Sequence, residues 1–246
     1  EIYTLSLHDA LPISISGLVF LPKDNKAQEN ILSVMIEEIE REGLTLMHMR
    51  TVPTCPDVLG VGAREVEPDI KQIFVTGVSE GQADVFDRLL YKVRKRIENR
   101  ITDEDFYICS LNSKNIIYKG MLTSGQLRRY FPDLSSPYFT SGLALVHSRF
   151  STNTFPKWKL AQPFRLLAHN GEINTIRGNV DRMLARQGEV DVTGSDSAML
   201  DNTLEYLVMN GMPLPLAVMV CIPEPWKHDD SLTEQKRDFY HYWATM

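Results

Sequence analysis

Apolar residues follow two rhythms along this chain. Over residues 27–42, Ile31, Leu32, Met35, Ile36 and Ile39 recur at three- and four-residue steps with acids between them. That spacing predicts an amphipathic helix, closed by Gly43. Residues 84–100 repeat the pattern with Phe86, Leu89, Leu90, Val93 and Ile97 inward. Short β-prone runs at 17–21, 44–49 and 70–75 predict strands. Residues 51–67, with Pro53, Pro56, Gly60 and Gly62, predict a loop. The runs 106–111 and 116–119, joined by Asn112-Ser113-Lys114-Asn115, predict a hairpin, hence an antiparallel part of the sheet. A short helix is predicted near 124–130. Two further apolar runs, 142–146 and 164–168, read as strands that each end in a polar tip. Helices are predicted at 176–186 (Ile176, Val180, Met183 and Leu184 on one face), at 197–209 and at 233–245. The second of these has a capping Ser195 or Asp196 before it and a stop at Asn210-Gly211. Neither internal repeats nor low-complexity tracts occur. The order is mixed and contains a hairpin, so a purely parallel doubly wound sheet is disfavoured.

Composition narrows the classes. The chain has 246 residues, 43% of them hydrophobic, enough for one large domain or two small ones. The formal net charge is -6, and the basic run Arg94-Lys95-Arg96 is offset by Asp84, Asp87 and Glu98, which argues against nucleic acid. The three cysteines, Cys55, Cys109 and Cys221, form no CxxC pair, which points to reduced thiols and to no zinc site. No apolar run approaches the roughly 18 residues of a membrane span. No basic stretch of the signal-peptide kind opens the chain. Residues 1–14 differ in style from the rest of the chain and read as a non-native, adapter-like segment. Residues 15–246 then form the folding part, expected to be cut at both ends.

The chemistry concentrates in residues 147–179. Arg149, Ser151 and Thr152 follow the first polar-tipped run; His169-Asn170-Gly171-Glu172 ends the second. A guanidinium grips a carboxylate with two parallel hydrogen bonds. An Asn side-chain amide and a Gly backbone N–H can converge on an oxyanion. A carboxylate such as Asp196 can hold an ammonium group. Together these types suit one zwitterionic amino acid. Each also has a plainer reading. Arg149 alone is a surface arginine, Asn170-Gly171 a turn, and Asp196 a helix N-cap. His147 and His169 read as packed or hydrogen-bonded histidines with no third ligand at metal spacing. Trp158 and Phe155 read as loop packing.

At HSRFSTNTFPKWKLAQPFRLLAHNGEINT (147–175) the chain resembles the glutamine amidotransferase domain of the class II, N-terminal-nucleophile type, as found in the large subunit of glutamate synthase. GSDSAMLDNTLEYL (194–207), FYICSL with IIYKGML (106–122) and VLGVGAREVEPDIKQIFV (58–75) fit neighbouring family segments. The resemblance covers residues 16–246. It implies an α+β, four-layer αββα N-terminal-nucleophile hydrolase sandwich, incomplete at the N-terminus. It further implies that Arg149 binds the α-carboxylate of L-glutamine with support from Thr152. Asn170 and Gly171 would form the oxyanion hole, and Asp196 would bind the α-amino group. The released ammonia would pass to 2-oxoglutarate at synthase domains of the same full-length chain. FMN and an iron–sulfur cluster would sit in those domains and none in this piece. Electrons would come from a small electron-transfer subunit or ferredoxin, in the cytoplasm, or in the plastid of a photosynthetic eukaryote.

One departure stands out. The family attacks glutamine with a cysteine whose own α-amine acts as base. Residue 1 here is Glu1, and none of the three cysteines has a free α-amine. The chain as given is therefore expected to be inactive in glutamine hydrolysis. Two other readings remain open: a class II amidotransferase feeding a different acceptor, and a non-catalytic glutamine-binding module. Lys157–Leu160 and Glu172–Thr175 exceed the skeleton that the other amidotransferases share.

Overall fold

The computed structural model describes residues 15–77, 82–150, 155–169, 173–185 and 194–245. The chain divides into two compact units, Glu1–Asn170 and Gly171–Met246.

The first unit is built on strands β1 (Ile15–Leu21), β2 (Thr45–Thr51), β3 (Asp69–Thr76) and β4 (Tyr107–Ile108) in the order β2-β3-β1-β4. Every pairing is antiparallel, with Ile15 opposite Val75 and Leu21 opposite Asp69 at the two ends of the central pair. Alternate residues of β1 point to opposite faces, as strand geometry requires. Ile15, Val19 and Leu21 face a core completed by helices α1 (Asn25–Arg41) and α3 (Ala83–Arg100). Leu18 and Phe20 face a second core with Val52, Ile70, Tyr118, Tyr130, Phe131 and Trp158. Strand β1 is thus buried on both sides, which explains its unbroken apolar reading.

The helical expectations hold, with boundaries up to three residues away. Asp24 caps α1 by accepting from the Ala27 N–H at 2.8 Å, and Gly43 comes after the helix at φ 73°. Ile31, Met35 and Ile39 are buried against α3 residues Phe86, Leu90, Val93 and Ile97. Full burial of each such side chain contributes about 1.5–3 kcal/mol. Ile36, expected inward, is exposed, because the packed stripe of α1 is narrower than the apolar stripe. Arg100 bridges to Glu38 at 2.6 Å and to Glu37 at 2.8 Å, tying α3 to α1 at the rim.

The loop at 51–67 contains a 3-10 turn, Pro56–Val58, and a short helix α2, Val61–Glu65. The expected hairpin is only half formed. Tyr107–Ile108 pairs with β1, but residues 116–119 form no strand. The reason is local: the Ser110 hydroxyl accepts the Ile117 N–H at 3.2 Å, taking a bond that a ladder would have used. The connecting loop is fixed from α3. There the buried Asp87 carboxylate accepts from the Ser113 N–H at 2.6 Å and from its hydroxyl at 2.8 Å. Helix α4 (Leu127–Tyr130) and the 3-10 turn Pro132–Ser135 come next. The observed class is mixed helix and antiparallel sheet, that is α+β.

The second unit carries helices α5 (Ile176–Ala185), α6 (Asp196–Met209), α7 (Leu214–Cys221) and α8 (Glu234–Thr245). Leu184, expected inward on α5, is exposed; Asn179 and Met183 are the buried residues. Helix α6 begins as anticipated, with the Ser195 side chain accepting from Ala198 N–H, and ends at Asn210 and Gly211 (φ 94°). The sequence gives no warning of α7. Its residues, LPLAVMVC, are apolar without a period and start among prolines. Cys221 is the last residue of this helix.

Candidate functional site

Neither polar-tipped run is a strand. Among the described residues no strand pairs with 142–146, and Leu143, Leu145 and Val146 are 87%, 57% and 69% exposed. A β-prone run becomes a strand only when its N–H and C=O groups find a partner ladder.

The run 164–168 is held differently, by side chains reaching to backbone. The Phe164 N–H donates to the Leu167 carbonyl at 2.9 Å, closing a turn. The buried Arg165 guanidinium donates through Nη2 to the Ile108 carbonyl at 2.7 Å and lies 3.3 Å from Glu98 Oε1. Asn115 returns the contact, its Nδ2 donating to the Arg165 carbonyl at 2.9 Å. Just before the run, Lys119 Nζ donates to the Lys159 carbonyl at 2.7 Å and sits 4.4 Å from the Tyr107 ring centre. Trp158 is buried and donates to the Ala63 carbonyl at 3.0 Å, in keeping with loop packing. Phe155 is 81% exposed and does not pack, which corrects its reading.

Arg165 meets a carboxylate, Glu98, that Arg94 and Lys95 of α3 also contact. Burial would raise the Glu98 carboxyl, but Arg94, Arg165 and Lys95 around it outweigh that and hold it down at about 2. Glu98 is therefore an anion under ordinary conditions, and the run that leads to His169 rests on an ion cluster.

His169 itself is bracketed. The Gln162 side-chain oxygen accepts the His169 N–H at 2.6 Å, and the Gln162 amide nitrogen donates to the His169 carbonyl at 2.5 Å. Arg149 lies in the first run's tip, exposed, with its backbone N–H on His147 Nδ1 at 3.1 Å. Among the described residues its guanidinium has no ion pair. Thr152, Asn170 and Gly171 lie outside the described residues.

In the second unit, Asp196 stands in the first turn of α6, half-buried. Its Oδ2 accepts the Ile173 N–H at 3.1 Å, two residues past Gly171 in the chain. The cap itself is made by Ser195. The same segment is tied again at Thr175, whose hydroxyl donates to the Cys221 carbonyl at 2.7 Å, and at Asn179, whose Nδ2 donates to the same carbonyl at 2.9 Å. These two bonds close one of the free carbonyls at the end of α7.

Four residues that hold these segments, Gln162, Arg165, Thr175 and Asn179, do not stand out in the sequence as candidates. Arg165 has a readable signal, a cation inside an apolar run. Gln162 has none, because nothing local in a sequence says which distant backbone an amide will meet.

The thiols do not fit an iron–sulfur cluster. Cys109 and Cys221 are buried in different units, and burial pushes them up to about 12 and about 11; Cys55 alone is exposed. A cluster needs several thiolates converging on one place. Among the described residues no three His, Cys, Asp or Glu side chains gather to hold a metal ion.

Arg149 is exposed in the first unit, and in the second unit an acid, Asp196, is tied to the segment just past Asn170-Gly171. The glutamine amidotransferases class-II family model matches residues 5–246, and the chain belongs to that family. It is 41% identical over 249 residues to a ferredoxin-dependent glutamate synthase 2 of Synechocystis sp. and 40% identical over 249 residues to the large chain of the NADPH glutamate synthase of Bacillus subtilis. Each alignment covers 94% of this chain and 16% of the relative. An NADH glutamate synthase of Schizosaccharomyces pombe is 41% identical over 255 residues, covering 94% of this chain and 12% of its own length. The chain thus spans about a sixth or less of these relatives.

Proposed function

We propose that this chain is the glutaminase part of a glutamate synthase. In the full-length protein, glutamine and water yield glutamate and ammonia at this site. The ammonia then aminates 2-oxoglutarate in synthase domains of a longer protein, with electrons from ferredoxin or a nicotinamide-linked subunit. Arg149 takes the α-carboxylate, supported by Thr152; Asp196 takes the α-ammonium; Asn170 and Gly171 stabilise the oxyanion. The observation that carries this reading is the Asp196 carboxylate, held 3.1 Å from the Ile173 N–H and so tied two residues along the chain from Gly171. An unpartnered guanidinium at Arg149, among the described residues, supports it further. None of the three described thiols is proposed as nucleophile, since two are buried and protonated and Cys55 sits in a loop. FMN and the iron–sulfur cluster belong to the synthase domains.

We infer that in the longer protein the runs 142–146 and 164–168 pair as strands of the second sheet of a four-layer αββα sandwich. This reading rests on their apolar, β-prone sequence and on the α1/α3 layer over the first sheet. For compartment we propose the cytoplasm, or the plastid in a photosynthetic eukaryote. Two features agree: no helix among the described residues is long and apolar enough to cross a membrane, and relatives from rice and spinach are chloroplastic.

Titration calorimetry with L-glutamine and L-glutamate tests the site. Binding by the chain that disappears in Arg149→Ala is the expected result. Equal binding by both proteins removes Arg149 from the site, and ammonia release from glutamine by the full-length protein tests the reaction itself.

A further inference from the structure

The second unit contains a closed circuit of helices and hydrogen bonds. Helix α6 leads through residues 210–213 into α7, which ends at Cys221. The Cys221 carbonyl is gripped by the Thr175 hydroxyl at 2.7 Å and by Asn179 Nδ2 at 2.9 Å. A carbonyl oxygen has two lone pairs, and both are taken here. Thr175 and Asn179 are locked to each other, because the Asn179 N–H donates to the Thr175 carbonyl at 3.1 Å. Ile173 belongs to the same piece, its carbonyl accepting the Ile176 N–H at 3.0 Å. The Ile173 N–H then closes the circuit on Asp196 Oδ2, in the first turn of α6. Residues 173 and 175 lie at most about 7 Å apart along the chain, so the end of α7 is held beside the start of α6.

We propose that Thr175 and Asn179 are positioning residues for the Asp196 carboxylate and, through it, for the α-ammonium of the substrate. This rests on the amidotransferase reading above. Neither side chain touches substrate, since both direct their donors at Cys221. What they set is the place of the Ile173 N–H, whose bond fixes the rotation of the Asp196 side chain. An ammonium needs a carboxylate at a particular distance and angle, because a charge-assisted hydrogen bond depends on both. The grip is shielded from water: Asn179 and Cys221 are both buried. A donor lost there leaves a buried carbonyl lone pair unfilled, with no solvent to replace it.

The α-ammonium is separate from the amide that reacts, and its charge is the same in the bound substrate and in the transition state. A contact to it is therefore uniform binding, which shows in KM and leaves kcat alone. The same contact is absent from glutaramate, which is glutamine without its α-amino group. A general loosening of the unit weakens both ligands. A misplaced Asp196 weakens only the ligand that carries an ammonium.

The experiment compares the full-length protein as wild type, Thr175→Val and Thr175→Ser. It measures kcat and KM for L-glutamine, and inhibition by glutaramate. Valine keeps the shape of threonine and removes the donor; serine keeps the donor. For Thr175→Val, KM is expected to rise about tenfold with kcat within about twofold, while the inhibition constant of glutaramate stays within about twofold. Thr175→Ser is expected to bring KM back to within about twofold of wild type. An equal weakening of glutamine and glutaramate overturns the proposal, since it reports a structural role alone. An unchanged KM in Thr175→Val overturns it as well. Should Thr175→Val fail to fold, Asn179→Ala carries the same comparison from the other donor, with the same two results against it. Absence of turnover in the wild type overturns the amidotransferase reading, and this proposal with it. Normal wild-type turnover with unaffected variants overturns only the proposal.

Discussion

Strand β1 and the run 164–168 look alike in sequence, short and mostly apolar. Their bonding differs. β1 exchanges backbone hydrogen bonds with β3 along its whole length and with β4 at one end, and buries both faces. The run 164–168 relies on Arg165, Asn115 and Gln162, each a side chain reaching to backbone groups. A ladder spreads its stability over many interchangeable bonds, so it depends on packing volume more than on any one polar atom. A bracketed run concentrates it in a few polar contacts, each with a particular geometry. The sheet is therefore the place where size matters, and the run is the place where chemistry matters.

Four changes would break or sharpen that contrast. The largest effect is expected from Phe86→Ala, which empties a fully buried position between α3 and the sheet. A loss of about 3–5 kcal/mol in urea unfolding is expected. A loss below about 1 kcal/mol would mean that the helix-facing core does not hold the unit. Next is Gly17→Ala. A Cβ there would stand 2.3 Å from the Ser110 carbonyl, a backbone atom that cannot step aside. About 1–3 kcal/mol should be lost by the same measurement, and an unchanged midpoint would show that β1 and the 110 segment are not so closely apposed.

A smaller effect separates the two regions by pH. The Glu98 carboxyl sits at about 2, below its ordinary 4.5. A depressed carboxyl stabilises fully above the ordinary value and loses that contribution as pH falls toward the depressed one. Acid between about 4.5 and 2 should therefore loosen the run 164–168, through Arg165, before it loosens β1. Hydrogen exchange of the two segments reads this directly, and simultaneous loss of protection in both would contradict the contrast. The smallest stability effect belongs to Arg149→Ala. Exposed and unpaired among the described residues, it should shift stability by no more than about 0.5 kcal/mol while abolishing glutamine binding. A large destabilisation would recast Arg149 as a structural residue.

Periodicity carries the elements whose fate is decided by their own side chains. Helices α1, α3 and α6 and strands β1 to β3 are legible because their apolar residues recur at helix or strand spacing. Several of their ends also carry Asp24, Gly43, Ser195 or Gly211. The Ile116–Lys119 segment reads as a strand but is not one, because Ser110, which no pattern marks, takes the Ile117 N–H. Helix α7 is illegible because a uniformly apolar octet has no face to detect. The runs 142–146 and 164–168 read as strands and are not strands in this structure. Strandedness is a property of a pair, and the sequence of one member does not reveal whether the other is present. Candidate site chemistry is legible as residue types, Arg149 and Asp196 above all. What supports those residues is not, since a bracket such as Gln162 on His169 is a relation between positions that share no local signature.

The exposed run 142–146 has a practical side. Gly-Leu-Ala-Leu-Val carries no charge and no proline, and its large apolar side chains stand in water. Segments of that make-up template their own kind, pairing edge to edge between molecules. Solutions of this chain should thus become turbid as concentration rises, and a lysine at position 145 would act as a gatekeeper that keeps them clear.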